Sequence, residues 1–289
     1  MSRSTGSPSK DMWRLRSLRN RFEVALVTLA WALVAAAATG PATAQQPLQL
    51  DVTGATRVEF NDSVGVWELY GNPVTVRRGL VVLKAPAVRY NAKDQIVIAS
   101  SGVSYGDQML IASAGTVTVW LREGRAVAEN DVQVAYRGVD PVDLRAARVE
   151  LLQEQRSLIA SGAARLARGS SAITADQIEY DHAARRAVAA GAVQARTPDG
   201  RLGADRVEAQ LATEEFIADG HVVVTRDTVE GHAAHAVFRQ QAGQVELSGD
   251  ALVHLGRNMV QAQVITIDLR ARRVTATGRP HLVGYPAAP

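Results

Sequence analysis

Phe216-Ile217-Ala218-Asp219-Gly220-His221-Val222-Val223-Val224 (FIADGHVVV) is the stretch whose reading decides the fold. Around Gly220 the apolar residues fall at −4, −2, +2 and +4: Phe216, Ala218, Val222 and Val224. Period two is the signature of a strand with one buried face. The same arrangement recurs around Gly249, with Val245, Leu247, Ala251 and Val253. Gly162, Gly191, Gly220, Gly249 and Gly278 each stand 29 residues from the next. A fixed period over most of a chain marks a repeat architecture, in which each unit buries its apolar face against its neighbours.

Halfway between the glycines runs a second series, Ala146, Ala175, Ala204, Ala233 and Ala262, also 29 apart. Here the apolar offsets are −2, 0, +3 and +5, as in Ile173, Ala175, Ile178 and Tyr180, or Val260, Ala262, Ile265 and Ile267. Parity flips between 0 and +3, which an unbroken strand cannot do, so a bulge or sharp bend is expected after each alanine. Small residues at the alanines and glycines allow backbones to approach closely there. Toward the N-terminus the count needs three inserted residues, near Arg137-Gly138-Val139-Asp140-Pro141, and then lands on Asn130, Ser101 and Asn72 and on Ala114 and Ala85.

Each repeat is therefore two strands joined by turns at Asn91–Asp94, Asp181–Arg185, Thr213–Glu215, Gln240–Gly243 and Asp268–Arg272. The two series predict fifteen strands, with one or two more before Asn72. An irregular first strand over Val52–Phe60 and a turn at Asn61-Asp62-Ser63 supply one of them. No connection is long enough for a crossover helix, so pairing is antiparallel. Leu144–Glu154 and Asp205–Thr213 carry helix-favouring residues, but Leu144, Ala146, Val149 and Leu151 fill the repeat's own offsets, and strand is the prediction. Pro280 and Pro286–Pro289 read as a frayed end. The fold class is all-β and elongated, with no domain boundary inside 52–285.

The chain has 289 residues, 47% hydrophobic and only 5% aromatic, and no cysteine. That excludes disulfides, thiolate metal sites and a cysteine nucleophile. The formal charge of +3 resides in the N-terminus. Residues 1–44 hold six basic and two acidic residues, leaving 26 basic against 27 acidic beyond them. A near-neutral body lacks the basic footprint that nucleic-acid binding needs. A basic start, the 16-residue apolar run Val24–Thr39 and Ala42-Thr43-Ala44 are the parts of a secretory signal peptide. Cleavage after Ala44 gives one mature domain over 45–289. The rival is an uncleaved membrane anchor, although the run is shorter than the roughly 20 residues of a usual span.

Leu83-Lys84-Ala85-Pro86-Ala87-Val88-Arg89-Tyr90, Ile173-Thr174-Ala175-Asp176-Gln177-Ile178-Glu179-Tyr180-Asp181 and Gly220-His221-Val222-Val223-Val224 are repeat phrases by which the chain resembles the OstA/LptA-like family of lipopolysaccharide transport in Gram-negative bacteria. The resemblance covers nearly all of 45–289. It implies an open antiparallel β-jellyroll, V-shaped in section, that holds lipid A acyl chains in an apolar trough without catalysis. It implies a periplasmic location and end-to-end homo-oligomers. The implied partners are lipopolysaccharide, an inner-membrane ABC transporter complex and an outer-membrane translocon; no cofactor is implied. Carried onto the inward offsets, the lipid-contacting residues would be Val88, Tyr90, Val103, Val117, Val132, Val149, Leu158, Leu166, Ile173, Ile178, Val193, Val207, Phe216, Val222, Val224, Val245, Leu247, Val253, Ile265 and Ile267.

The same alternation also describes an ordinary packed β core, and a ligand-free structural repeat or filament protein stays open as an alternative, as does a membrane-anchored component of the same transport system. His232 and His235 are three apart, which puts them on opposite faces of a regular strand, and His221 and His254 take outward offsets; a metal site is not expected. Asp176, Glu179, Asp205, Glu208, Asp219 and Glu246 are spread singly and mostly outward, unlike a converging catalytic pair. Arg165, Arg196, Arg226 and Arg257 recur at similar offsets and form a stripe that could meet headgroup phosphates at the trough rim.

Overall fold

The computed structural model describes residues 51–284, apart from 79–80, 107–109, 138–140, 153–154, 156, 182, 198–199, 211, 214, 227, 240 and 272. The expected leader over 1–44 and the closing residues 286–289 lie outside the described residues.

The chain forms β1 (Asp51–Asn61), β2 (Val66–Arg78), β3 (Val81–Asn91), β4 (Ile96–Gly106), β5 (Leu110–Trp120), β6 (Arg125–Tyr136), β7 (Val142–Leu152), β8 (Ser157–Arg168) and β9 (Ser171–Asp181). It continues with β10 (Arg186–Thr197), β11 (Gly200–Gln210), β12 (Glu215–Arg226), β13 (Val229–Arg239), β14 (Gln244–Leu255), β15 (Asn258–Asp268), β16 (Arg273–Thr277) and β17 (His281–Val283). Among the described residues all pair antiparallel in one seventeen-stranded sheet, β1 to β16 with their sequence neighbours and β17 with β15. The segments with helical propensity are strands β7 and β11. Their side chains pack on both neighbouring strands, and that burial outweighs a propensity of tenths of a kcal/mol per residue.

Every strand from β3 to β15 bends at its middle, and the register shows how. Asp219 pairs with His235 and Val222 with Ala233, so Gly220 and His221 together oppose Ala234 alone. Both bulged residues are left-handed, with φ of 74° and 46°. The pair recurs at Asn130/Asp131, Gly162/Ala163, Gly191/Ala192, Gly249/Asp250 and Gly278/Arg279. The bend after each alanine is therefore present, but the extra residue that creates it belongs to the glycine strand opposite. At Gly249 glycine is favoured for two reasons. It takes the left-handed conformation without strain, and a Cβ on Gly249 would stand 2.7 Å from the Cβ of Ala234. The corner of β2 is built differently. Tyr70 pairs with Ala87 and Val74 with Ala85, so this corner carries one residue more than the repeat predicts at Asn72.

The bends fold the sheet lengthwise into two facing walls. Wall 1 holds the half of each glycine-series strand before its corner and the half of each alanine-series strand after it; wall 2 holds the other halves. Inward side chains of both walls meet in two buried clusters. A small one is Val74, Ala85, Val88, Ala99 and Val103. The large one runs from Tyr105 to Ile265. At the C-terminal end, Pro280 is not part of a frayed tail. Gly278 and Arg279 turn the chain at the same corner, and His281–Val283 pair with Met259–Gln261. Strands β16 and β17 are thus the two halves of one last strand.

Candidate functional site

The inward offsets assemble into one apolar interior along the length of the folded sheet. Val132, Val193, Val222, Leu247, Val253 and Ile265 are essentially without solvent contact, and Val88, Val103, Val149, Leu158, Leu166, Ile178 and Val207 are buried. Val117, Ile173, Val224, Val245 and Ile267 are half-buried against the same clusters. Tyr90 and Phe216 also face inward at half exposure, Phe216 tilted against Phe238 with ring centroids 6.0 Å apart. All twenty predicted positions therefore share the inner face. Periodicity alone reached them because inward and outward alternate by geometry, not by contact chemistry.

The interior is not uniformly open. Over β5–β9 the inward residues next to the turns on both walls are buried: Leu110, Tyr136 and Val142 on wall 2, and Leu151, Leu158 and Tyr180 on wall 1. Here the walls close on each other. Burial, followed by the neighbouring Asp181 carboxylate, pushes the Tyr180 phenol up to about 12. Toward both ends the equivalent residues are half-exposed, namely Tyr90 and Val97 on one side and Leu202, Val224, Val245 and Val260 on the other.

At the ends of the array the inner face is uncovered. Phe60 pairs with Trp67, Val58 with Leu69 and Val52 with Val76, and paired residues share a face. Leu69 and Val76 pack in the interior, so Val52, Val58, Phe60 and Trp67 are inward as well. Yet they are 39–53% exposed. Phe60 stacks on Trp67 at 4.3 Å. At the opposite end Leu282, paired with inward Val260, is 66% exposed.

The outer faces of the two walls differ in charge. On wall 1 arginines and carboxylates alternate across strands. Arg125 donates to Glu150 at 2.6 Å, Arg148 donates to Glu150 at 3.2 Å and also to Glu129, and Arg186 donates to Glu208. Arg239 joins Glu246 at 3.2 Å. The hydrogen bond from Arg186 holds the Glu208 carboxyl below its ordinary range. Burial pushes the Glu150 carboxyl up, but Arg125 and Arg148 outweigh it and hold that group low. These side chains cover outward Val127 and Val188, which are buried. Arg125–Glu150, Arg148–Glu129 and Arg186–Glu208, nineteen to twenty-five residues apart, could not be matched from sequence spacing.

The histidines find single acids. His221 Nδ1 lies 2.8 Å from Asp205, His235 Nδ1 2.5 Å from Asp219 and His232 Nε2 2.8 Å from Glu230. His232 and His235 both face outward, on different walls, because the corner between them flips parity. The expectation of opposite faces held only for a straight strand. Among the described residues no group of three His, Cys, Asp or Glu could hold a metal ion. The arginine stripe does not follow one rim. Arg165 stands in mid-wall and Arg257 in a turn, because their offsets drift outward from repeat to repeat.

The sequence profile of the LptA/LptD N-terminal-domain family, lipopolysaccharide transport proteins, matches residues 143–273. No curated protein matches the chain. One similar solved structure is the crystal structure of LptH, the LptA homologous periplasmic component of the conserved lipopolysaccharide transport device from Pseudomonas aeruginosa. It is 14% identical, with a TM-score of 0.26, over 52% of this chain and 94% of that one. The matched span runs from β7 to the start of β16, and the same bent strands continue on its N-terminal side. Residues 143–273 thus match the LptA/LptD N-terminal-domain family of lipopolysaccharide transport proteins, in line with the OstA/LptA-like resemblance of the repeat.

Proposed function

We propose that this chain is a periplasmic, non-catalytic carrier that shields the acyl chains of lipopolysaccharide between its walls and joins inner- and outer-membrane components by head-to-tail association. The observation that carries the reading is the uncovered inner face at both ends of the array: Val52, Val58, Phe60 and Trp67 at one, Leu282 at the other. An apolar interior that runs out to its ends uncovered is what a longer composite trough requires. Among the described residues, β1 pairs only with β2, and β16 and β17 only with β15. Each end therefore offers an unpaired edge for strand addition. Burying an acyl chain contributes roughly 0.8 kcal/mol per CH₂, enough for several chains to displace wall-to-wall packing over β5–β9. The inner-membrane ABC transporter complex and the outer-membrane translocon are the partners for the two edges.

A ligand-free structural repeat is the second reading, favoured by the closed stretch around Leu110, Tyr136, Leu158 and Tyr180. Native mass spectrometry of protein purified from an envelope containing lipopolysaccharide separates the two. Val222 is 1% exposed, where an added carboxylate has no water. The better control is Val224→Asp, half-buried toward the mouth. An adduct of lipopolysaccharide mass, lost in Val224→Asp with the circular dichroism spectrum kept, is the expected result; a bare protein mass at every concentration overturns the carrier. The mass of the mature N-terminus decides between a leader cleaved after Ala44 and an uncleaved anchor over 24–39.

A further inference from the structure

The outer face of wall 2 carries four arginines that the fold sets against one another. Arg145 on β7 stands directly opposite Arg165 on β8. Arg196 on β10 stands directly opposite Arg201 on β11. All four are exposed, and none has an ion pair or hydrogen bond among the described residues. Like charges directly opposite across a strand pair destabilise a sheet. Two such pairs on one face, beside a wall 1 whose arginines pair with carboxylates, leave four cations open to a counter-charge from outside the chain.

Register places the pairs on one surface. Arg165 is opposite Thr174, Thr174 opposite Gln194, and Arg196 opposite Ala172. The patch therefore spans five strands, roughly 19 Å at the usual spacing. Between the arginines lie Ala167, Ala172, Thr174 and Gln194, which are small or polar. The acid on this face beside Arg145 is Asp143, and Arg137 engages it at 3.0 Å. Among the described residues no aromatic or large aliphatic side chain stands within the patch, so it lacks the apolar centre of a protein–protein interface. Each opposed pair is close enough to share one phosphate, and two such pairs spread over a flat sheet match an array of phosphates in a plane.

We propose that the outer face of wall 2 is a docking surface for the phosphate-bearing surface of an anionic lipid bilayer, with Arg145, Arg165, Arg196 and Arg201 as its contacts. The face is independent of whatever fills the interior. Each arginine near such a surface is worth about fivefold in affinity at moderate salt.

The test is co-sedimentation of the full chain with phosphatidylcholine vesicles, with and without phosphatidylglycerol. It compares wild type, the quadruple variant R145Q/R165Q/R196Q/R201Q, and a charge-matched control on wall 1 and its turns, R89Q/R122Q/R270Q/R273Q. Binding that needs phosphatidylglycerol, weakens with salt, falls several hundredfold in the quadruple variant and survives in the control is the expected result. The quadruple variant should unfold no earlier than wild type, because it removes two like-charge pairs. Val224→Asp should bind vesicles as wild type does, which separates this surface from the interior. Equal losses in the two charge variants, no loss in the quadruple variant, or loss in Val224→Asp would each overturn the proposal. So would a quadruple variant that keeps vesicles but loses retention on double-stranded DNA.

Discussion

Replacing Gly249 with alanine tests whether the corners depend on close backbone approach or only on left-handed φ. The new methyl would meet the Ala234 Cβ at 2.7 Å, nearly 1 Å inside ordinary contact. Two costs add. Holding an alanine at φ +77° costs about 1–2 kcal/mol, and forcing the methyl against Ala234 costs about 1–3 kcal/mol. The sum is about 2–5 kcal/mol, a large share of the stability of a typical domain. Gly256 supplies the control, with φ +62° and no atom within 4 Å of an added Cβ. Gly256→Ala carries only the first cost. Urea unfolding followed by circular dichroism gives both values, and the difference isolates the contact. The double variant Ala234→Gly/Gly249→Ala removes the facing methyl and should recover about 1–3 kcal/mol. If Gly249→Ala costs no more than Gly256→Ala, or the double variant recovers nothing, close approach does not shape the corners.

Leu247 has no solvent exposure in the large cluster, so Leu247→Ala should cost about 2–5 kcal/mol in urea unfolding. The Tyr180 phenol, raised to about 12 from an ordinary value of 10, is protonated more readily in the folded than in the unfolded chain. Its contribution is therefore complete below pH 10 and lost as pH rises toward 12, about 2–3 kcal/mol in all. Tyr180→Phe should flatten the fall in unfolding midpoint across that window. The Glu208 carboxyl is held low by Arg186, so its contribution is present above about pH 4.5 and lost as pH falls. Arg186→Ala should lower the urea midpoint at neutral pH, and the difference from wild type should shrink in acid. Making the uncovered end polar also has a readout: Phe60→Ser with Trp67→Ser should reduce concentration-dependent assembly in analytical ultracentrifugation and leave the strand signal intact.

Much of this architecture is legible in the 29-residue period. Alternation around Gly220 and Gly249 assigned inward faces to Val222 and Leu247, and the parity flip at Ala175 and Ala262 required a bend. These are local consequences of strand geometry, so they need no knowledge of what lies opposite. They also sufficed to overrule the helical propensity of Leu144–Glu154. Parity called for a bulge or a sharp bend after each alanine; the bend is there, and the extra residue lies on the glycine strand opposite. Parity on the alanine strand shows that two strands differ by one residue, but not which carries the surplus. Only the pairing of Asp219 with His235 and Val222 with Ala233 decides that. Strand β17 was missed because Pro280 reads as a terminator in isolation, whereas in the fold it follows a corner and the pairing resumes beyond it.

Amino-acid order by itself determined the repeat, the strand-by-strand alternation and the OstA/LptA-like resemblance, because each depends on residues close in sequence and on a period of two. Tertiary structure decided the rest. It closed the interior at Leu110, Tyr136 and Tyr180 while leaving Phe60, Trp67 and Leu282 uncovered. It matched Arg186 with Glu208 across 22 residues and set Arg145 against Arg165. Wall separation and side-chain partnership are distances between strands, and no spacing along a single strand encodes a distance to the next.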